Sequence, residues 1–166
     1  MTGWDWCLRN RAITCDLPDT LRFYADCRHP TGERFPAMVA LIEGAQRLAV
    51  HRTYLRADGK GKAEATPDMA MLGGCASGAV RLSGEAGRLV VGEGIETCLS
   101  VASGLIDGPT QIWAALSTSG LRSLSLPFQP GALIVAVDGD APGRGAACGP
   151  YEGQIATPAA GAEAGA

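Results

Sequence analysis

Glu93, Asp138 and Asp140 are the residues whose types and spacing point most directly to chemistry. Glu93 follows the apolar run Leu89-Val90-Val91-Gly92 and precedes Gly94 and a segment with helical spacing, whereas Asp138 and Asp140 follow the apolar run 132–137 with only Gly139 between them. Strand residues two apart project to one side, so both aspartates can face one point. Like charges that close repel unless a cation lies between them, and carboxylate oxygens suit Mg²⁺. Each piece has a plain structural alternative. Glu93 can cap the following helix, worth about 0.3–1 kcal/mol against the dipole, and Asp-Gly-Asp can simply end a strand in a turn. An EF-hand is excluded, since its loop needs Glu at the twelfth position and Gly149 stands there. The conjunction of an acid after one buried strand with an acid pair after another is more specific than either alone.

Such acids must be held by strand ends, because open parallel sheets gather ligands at their carboxyl edges. From residue 88 the pattern is short apolar strands alternating with helices: a strand at 89–92, helical spacing from Ile95 to Ile106, a strand over 111–116, a helical turn over 121–126 and a strand over 132–137. This rhythm predicts a parallel α/β sheet with flanking helices. Upstream, FPAMVALI at 35–42 and RLAVHRTYL at 47–55 predict a hairpin in which Leu48, Val50, Arg52 and Tyr54 share one face and Ala49, His51, Thr53 and Leu55 the other. Asp58-Gly59-Lys60-Gly61-Lys62 reads as a basic turn. Residues 1–34 show no long period and predict short helices in a loop-rich lobe. Residues 148–166 form a low-complexity tail with too little apolar content to pack, and the helix expected after Asp140 is interrupted by Gly143, Gly145, Gly149 and Pro150, so a last βα unit is expected to be missing. The expected division is therefore a small mixed α+β lobe at 1–84, the parallel-sheet domain at 85–147 and the tail at 148–166.

Composition narrows the classes. With 166 residues, 46% of them hydrophobic and 19% charged, one core suffices without staples. Residues 1–62 hold 10 Lys+Arg against 7 Asp+Glu and residues 63–166 hold 4 against 10, which suggests a basic surface for a polyanion beside an acidic one for cations. The six cysteines have no zinc-ribbon or thioredoxin-like spacing, so no zinc is expected. The absence of a signal segment, or of a run of about 18 apolar residues, leads to the expectation of a cytoplasmic chain with free thiols and no membrane partner.

GEGIET at 92–97, the strand ending in Ala115-Leu116-Ser117, and VAVDGDAPGRGAA at 135–147 resemble the Toprim domain of DnaG-type primases, topoisomerases and certain nucleases. The wording EGIET is most similar to primase-like Toprim proteins of phages, plasmids and integrated elements. Upstream, Arg34-Phe35-Pro36, the hairpin, Arg52 and the Gly61-Lys62 turn look like the lobe preceding Toprim in the primase core, so the resemblance covers about residues 1–147. It implies that Glu93 is a metal ligand or proton-transfer group and that Asp138 and Asp140 bind Mg²⁺, with Mn²⁺ as a substitute. It further implies that Arg34, Arg52, Lys60 and Lys62 hold nucleotide phosphates or single-stranded DNA, ordinary solvation of the hairpin being the alternative for these four. The implied activity is Mg²⁺-dependent primer synthesis from nucleoside triphosphates on a single-stranded DNA template, with a replicative helicase supplied in trans. Thr97 stands where the primase pattern usually has Asp.

Three other readings stand beside it: phosphodiester cleavage at the same metals, a truncated non-catalytic nucleic-acid-binding module, and an Asp-x-Asp phosphatase with Asp138 as nucleophile. A topoisomerase would need a tyrosine nucleophile, and Tyr24, Tyr54 and Tyr151 lie in no recognisable context. His51 is expected to be a structural hydrogen-bonder, His29 a turn residue, and Trp4, Trp6 and Trp113 packing aromatics, while Ser117, Thr118 and Ser119 suit either a turn or a phosphate contact.

Overall fold

A computed structural model describes residue 8 and residues 12–84, 87–126 and 128–137. Two four-stranded sheets share one core. The first is an antiparallel meander in the order β1 (Leu21–Arg28), β2 (Arg34–Ile42), β3 (Ala49–Tyr54) and β4 (Met69–Leu72). The second comprises β5 (Val80–Gly84), β6 (Arg88–Gly92), β7 (Thr110–Ala114) and β8 (Leu133–Ala136) in the order β5-β7-β6-β8. In it β6 pairs parallel with both β7 and β8, and β5 runs antiparallel on the edge beside β7. Between β6 and β7 lie helix α1 (Ile95–Ser100) and a π-helical turn, Val101–Leu105, and helix α2 (Thr118–Ser123) follows β7. This is a mixed α/β fold with a mostly parallel sheet, consistent with a Toprim-like architecture, preceded by an antiparallel lobe.

The hairpin forms with Ala37 opposite Tyr54 and Ile42 opposite Ala49. Its period-two pattern places Met38, Ala40, Ile42 and Ala49 on the face that packs on the second sheet, where Val80, Leu82, Val90, Ile112 and Ala114 join Ile95, Cys98 and Leu99 of α1 in one cluster. The opposite face of the second sheet buries Leu89, Val91 and Trp113 under Leu121, Leu124 and Leu126. Strand β6, covered on both faces, is a continuous apolar run for that reason.

Several parts of the fold differ from the sequence expectation. Residues 21–28 form a strand rather than short helices. Leu21 and Phe23 alternate with Arg22 and Tyr24, but a bulge between Tyr24 and Cys27 shifts the register and breaks the alternation that marks a strand. The α-helix from Ile95 stops at Ser100, and the segment expected to continue it to Ile106 winds as a π-turn in which Gly104 takes φ +120°. Strand β5 lies on the N-terminal side of the 84/85 division yet is hydrogen-bonded into the second sheet through β7. The expected missing βα unit and the tail at 148–166 lie outside the described residues.

Both histidines are buried, and the hydrogen bonding expected of His51 is found at His29 instead. His29 is 2% exposed, its Nδ1 2.8 Å from Thr31 Oγ1 and its Nε2 2.8 Å from the Pro67 carbonyl. His51 is also buried, with Nδ1 lacking a hydrogen-bond partner among the described residues. Burial, then the nearby Lys62 and Arg52 charges, pull its pKa from 6.5 to about 4 against an opposing contribution from Asp68. Because the folded value lies below the unfolded one, the unfolded chain binds the extra proton between these limits. His51 therefore leaves stability untouched above pH 6.5 and removes up to about 3 kcal/mol as the pH falls toward 4. Urea unfolding at several pH values should show this slope in the wild type and a shallower one in His51→Leu; parallel slopes would contradict the assignment.

Candidate functional site

Glu93 is exposed at the carboxyl tip of β6, one residue past the strand and one before the cap of α1. The turn that carries it is tightly specified. Gly92 is buried, and a Cβ there would lie 2.6 Å from Cys98 Sγ and 3.5 Å from the Ala136 carbonyl, so a side chain would wedge α1 and β8 away from β6. Cys98 Sγ in turn lies 3.2 Å from the Trp113 carbonyl, its acceptor in β7. Gly94 caps α1 with extended backbone, φ −92° and ψ 145°.

The tips of the three parallel strands are joined beside this acid. The amides of Ala115 and Leu116 donate to the carbonyls of Gly92 and Glu93 at 2.9 and 2.8 Å, continuing the β6–β7 ladder past the last paired residues. On the other flank Gly92 pairs with Ala136, so Glu93 and Val137 leave neighbouring strands in the same direction. Asp138 and Asp140 follow Val137 in the sequence and lie outside the described residues. Among the described residues no group of three metal-ligating side chains is assembled. The donor chemistry nonetheless suits a hard cation: Glu93 presents an exposed carboxylate, one oxygen of which, Oε2, accepts a hydrogen bond from Thr118 Oγ1 at 3.1 Å. That contact was not foreseen, since Thr118 lies 25 residues away and its sequence context is that of a helix start.

The four basic residues occupy the first sheet and the loop after β3. Arg34, at the start of β2, pairs with Asp26 at 2.5 Å, and Lys62 pairs with Asp68 at 3.2 Å. Arg52 lies mid-β3 with its guanidinium carbon 5.8 Å from the Tyr54 ring centre, and its Nη1 donates to the Arg28 carbonyl. Lys60 stands exposed on a turn held by Asp58, which accepts the Lys60 amide at 2.9 Å and pairs with Arg56. The Lys60 amide bond, followed by the Arg56 guanidinium, keeps the Asp58 carboxyl below its ordinary range. Arg52 and Lys60 thus form no ion pair among the described residues, whereas Arg34 and Lys62 do.

Of the tyrosines, Tyr54 is fully buried and donates to the Arg28 carbonyl, which removes it as a nucleophile, while Tyr24 is 55% exposed on β1 and Tyr151 lies outside the described residues. Trp113 is packed in the core as expected, edge-on to Phe128 and 4.9 Å beneath the Arg81 guanidinium, and Trp4 and Trp6 lie outside the described residues.

Comparison with known proteins matches residues 6–82 to a domain of unknown function, DUF7146, and residues 88–156 to the Toprim domain. No curated protein and no solved structure matches the chain. No helix among the described residues is long and apolar enough to cross a membrane. Toprim domains act on nucleic acids, bind Mg²⁺ and carry nucleotidyl transfer or nuclease chemistry. The segment that begins with β6 and carries Glu93, α1, β7, α2 and β8 is a Toprim domain, found at residues 88–156.

Proposed function

We propose that this chain is a primase-like protein that joins nucleotides on a single-stranded DNA template in a Mg²⁺-dependent reaction. The observation that supports it most is the parallel pairing of β6 with β8 in the register Gly92–Ala136, which starts Glu93 and the chain leading to Asp138 from adjacent strand tips. Glu93, Asp138 and Asp140 would hold the metal. Bound Mg²⁺ would neutralise phosphate charge and align attacking and leaving oxygens, the main requirement of nucleotidyl transfer.

The chain's own residues divide the remaining work. Arg52 and Lys60, which form no ion pair among the described residues, are the basic groups most available to template or triphosphate oxygens, while Arg34 and Lys62 must first exchange an ion pair for a phosphate. The lobe at 1–84 would thus supply the anion contacts and the domain at 85–147 the acids, with a helicase acting in trans. A mobile-element origin fits the EGIET wording.

The test is primer synthesis with labelled nucleoside triphosphates, single-stranded DNA and Mg²⁺, run beside an incubation of labelled DNA without nucleotides. Extension products that require both template and Mg²⁺ are expected. Cleavage in the second incubation with no synthesis in the first would replace the reading with a nuclease, and metal or DNA binding without either product would replace it with a non-catalytic module.

A further inference from the structure

We propose that Thr118 is a positioning residue that sets the orientation of the Glu93 carboxylate before a divalent ion is bound, an inference that rests on the reading of Glu93 as a metal ligand. The direct observation is the 3.1 Å hydrogen bond from Thr118 Oγ1 to Glu93 Oε2. The turn that brings Thr118 there is built to a single shape. Leu116, whose amide is tied to the Glu93 carbonyl, adopts φ +68°, a left-handed conformation costly to any residue with a Cβ. Ser117 then caps α2, its hydroxyl accepting the Gly120 amide at 2.9 Å and lying 3.0 Å from Ser119 Oγ. Gly120 presses on the Ala115 carbonyl so closely that a Cβ there has no room. Strain at Leu116 and obligatory contact at Gly120 therefore flank the one hydroxyl among the described residues that reaches the Glu93 carboxylate.

The physical role follows from the exposure of Glu93. A solvent-exposed glutamate samples several rotamers, and ordering it upon metal binding weakens affinity. A hydroxyl on a β-branched side chain has few rotamers of its own, so it can anchor one carboxylate oxygen. Oε1 has no hydrogen-bond partner among the described residues and stays available to an ion. Residues that orient metal ligands in this way typically change metal affinity by about 10- to 100-fold when removed.

The experiment measures Mn²⁺ binding to the full chain by electron paramagnetic resonance for wild type, Thr118→Val, Thr118→Ala, Thr118→Ser and Glu93→Gln, with circular dichroism confirming the fold of each. Both hydroxyl-free variants should bind Mn²⁺ about tenfold more weakly, and Thr118→Ser, which keeps the hydroxyl but loses the β-branch, should bind more tightly than either and at most as tightly as wild type. In primer synthesis the same two variants should need more Mg²⁺ for half-maximal rate yet recover kcat at saturating Mg²⁺. Unchanged Mn²⁺ affinity in Thr118→Val and Thr118→Ala, alongside weakened binding in Glu93→Gln, would overturn the role of Thr118 and leave the functional reading intact. Unchanged affinity in Glu93→Gln would overturn the functional reading itself.

Discussion

Glu93→Gln is expected to lower Mg²⁺-dependent nucleotide incorporation by about 10²- to 10³-fold, the usual scale for removing one group that acts on developing charge in a transition state. The substitution keeps the size and the Thr118 hydrogen-bond acceptor while deleting the negative charge. The exposed tip should tolerate it without loss of stability, since the buried turn residue is Gly92 and not Glu93. Single-turnover primer synthesis at saturating Mg²⁺ measures the effect, with thermal unfolding as the control. Activity within about twofold of wild type, far below that scale, would mean that Glu93 is only the acid that opens α1.

Tyr54→Ala is expected to cost about 3–5 kcal/mol of stability, as removal of a buried aromatic ring typically does. Tyr54 is 0% exposed and meets His29 edge-on at 4.6 Å and Phe35 at 6.1 Å between ring centres. Around it Cys27, Ala37 and Ala63 complete a small cluster of their own beneath the loop that follows β3. That loss is a large fraction of the about 5–15 kcal/mol available to a domain. Because the ring closes the cluster from which the Lys60–Lys62 loop departs, the variant should also expose that loop to protease. Tyr54→Phe, which removes only the bond to the Arg28 carbonyl, should cost about 1 kcal/mol. Urea denaturation followed by circular dichroism reads both, and coincident midpoints for Tyr54→Ala and wild type would refute the packing argument.

The elements legible in the sequence are those whose apolar pattern is dictated by local burial. Strand β6 is covered on both faces and reads as an unbroken apolar run, and the β2–β3 hairpin alternates because one face packs on the second sheet. The face assignment in β3 holds: His51 and Thr53 are buried on the side of Ala49, and Arg52 shares the other with Tyr54. Strands whose form depends on distant partners were not legible. The bulge hides the alternation of β1, and β5 (ending at Gly84) finds its partner in β7 (beginning at Thr110) only across the whole of β6 and α1. Similarly, nothing in the local pattern distinguishes Thr118 from any first residue of a short capped helix. Its link to Glu93 exists only because β6 and β7 lie side by side. At the basic residues, sequence alone reports charge but not its neutralisation, and the pairs Arg34–Asp26 and Lys62–Asp68 are visible only in three dimensions.

In the proposed reaction, acids leaving β6 and β8 share one divalent ion. This sharing is tested most directly by a crystal of the full chain soaked in Mn²⁺ and measured at the manganese absorption edge. A single anomalous peak bridged by the carboxylates of Glu93 and Asp138, at distances near the about 2.0–2.1 Å of magnesium coordination, is the predicted result. A peak bound by only one of these acids, or carboxylates too far apart to reach a common ion, would contradict it.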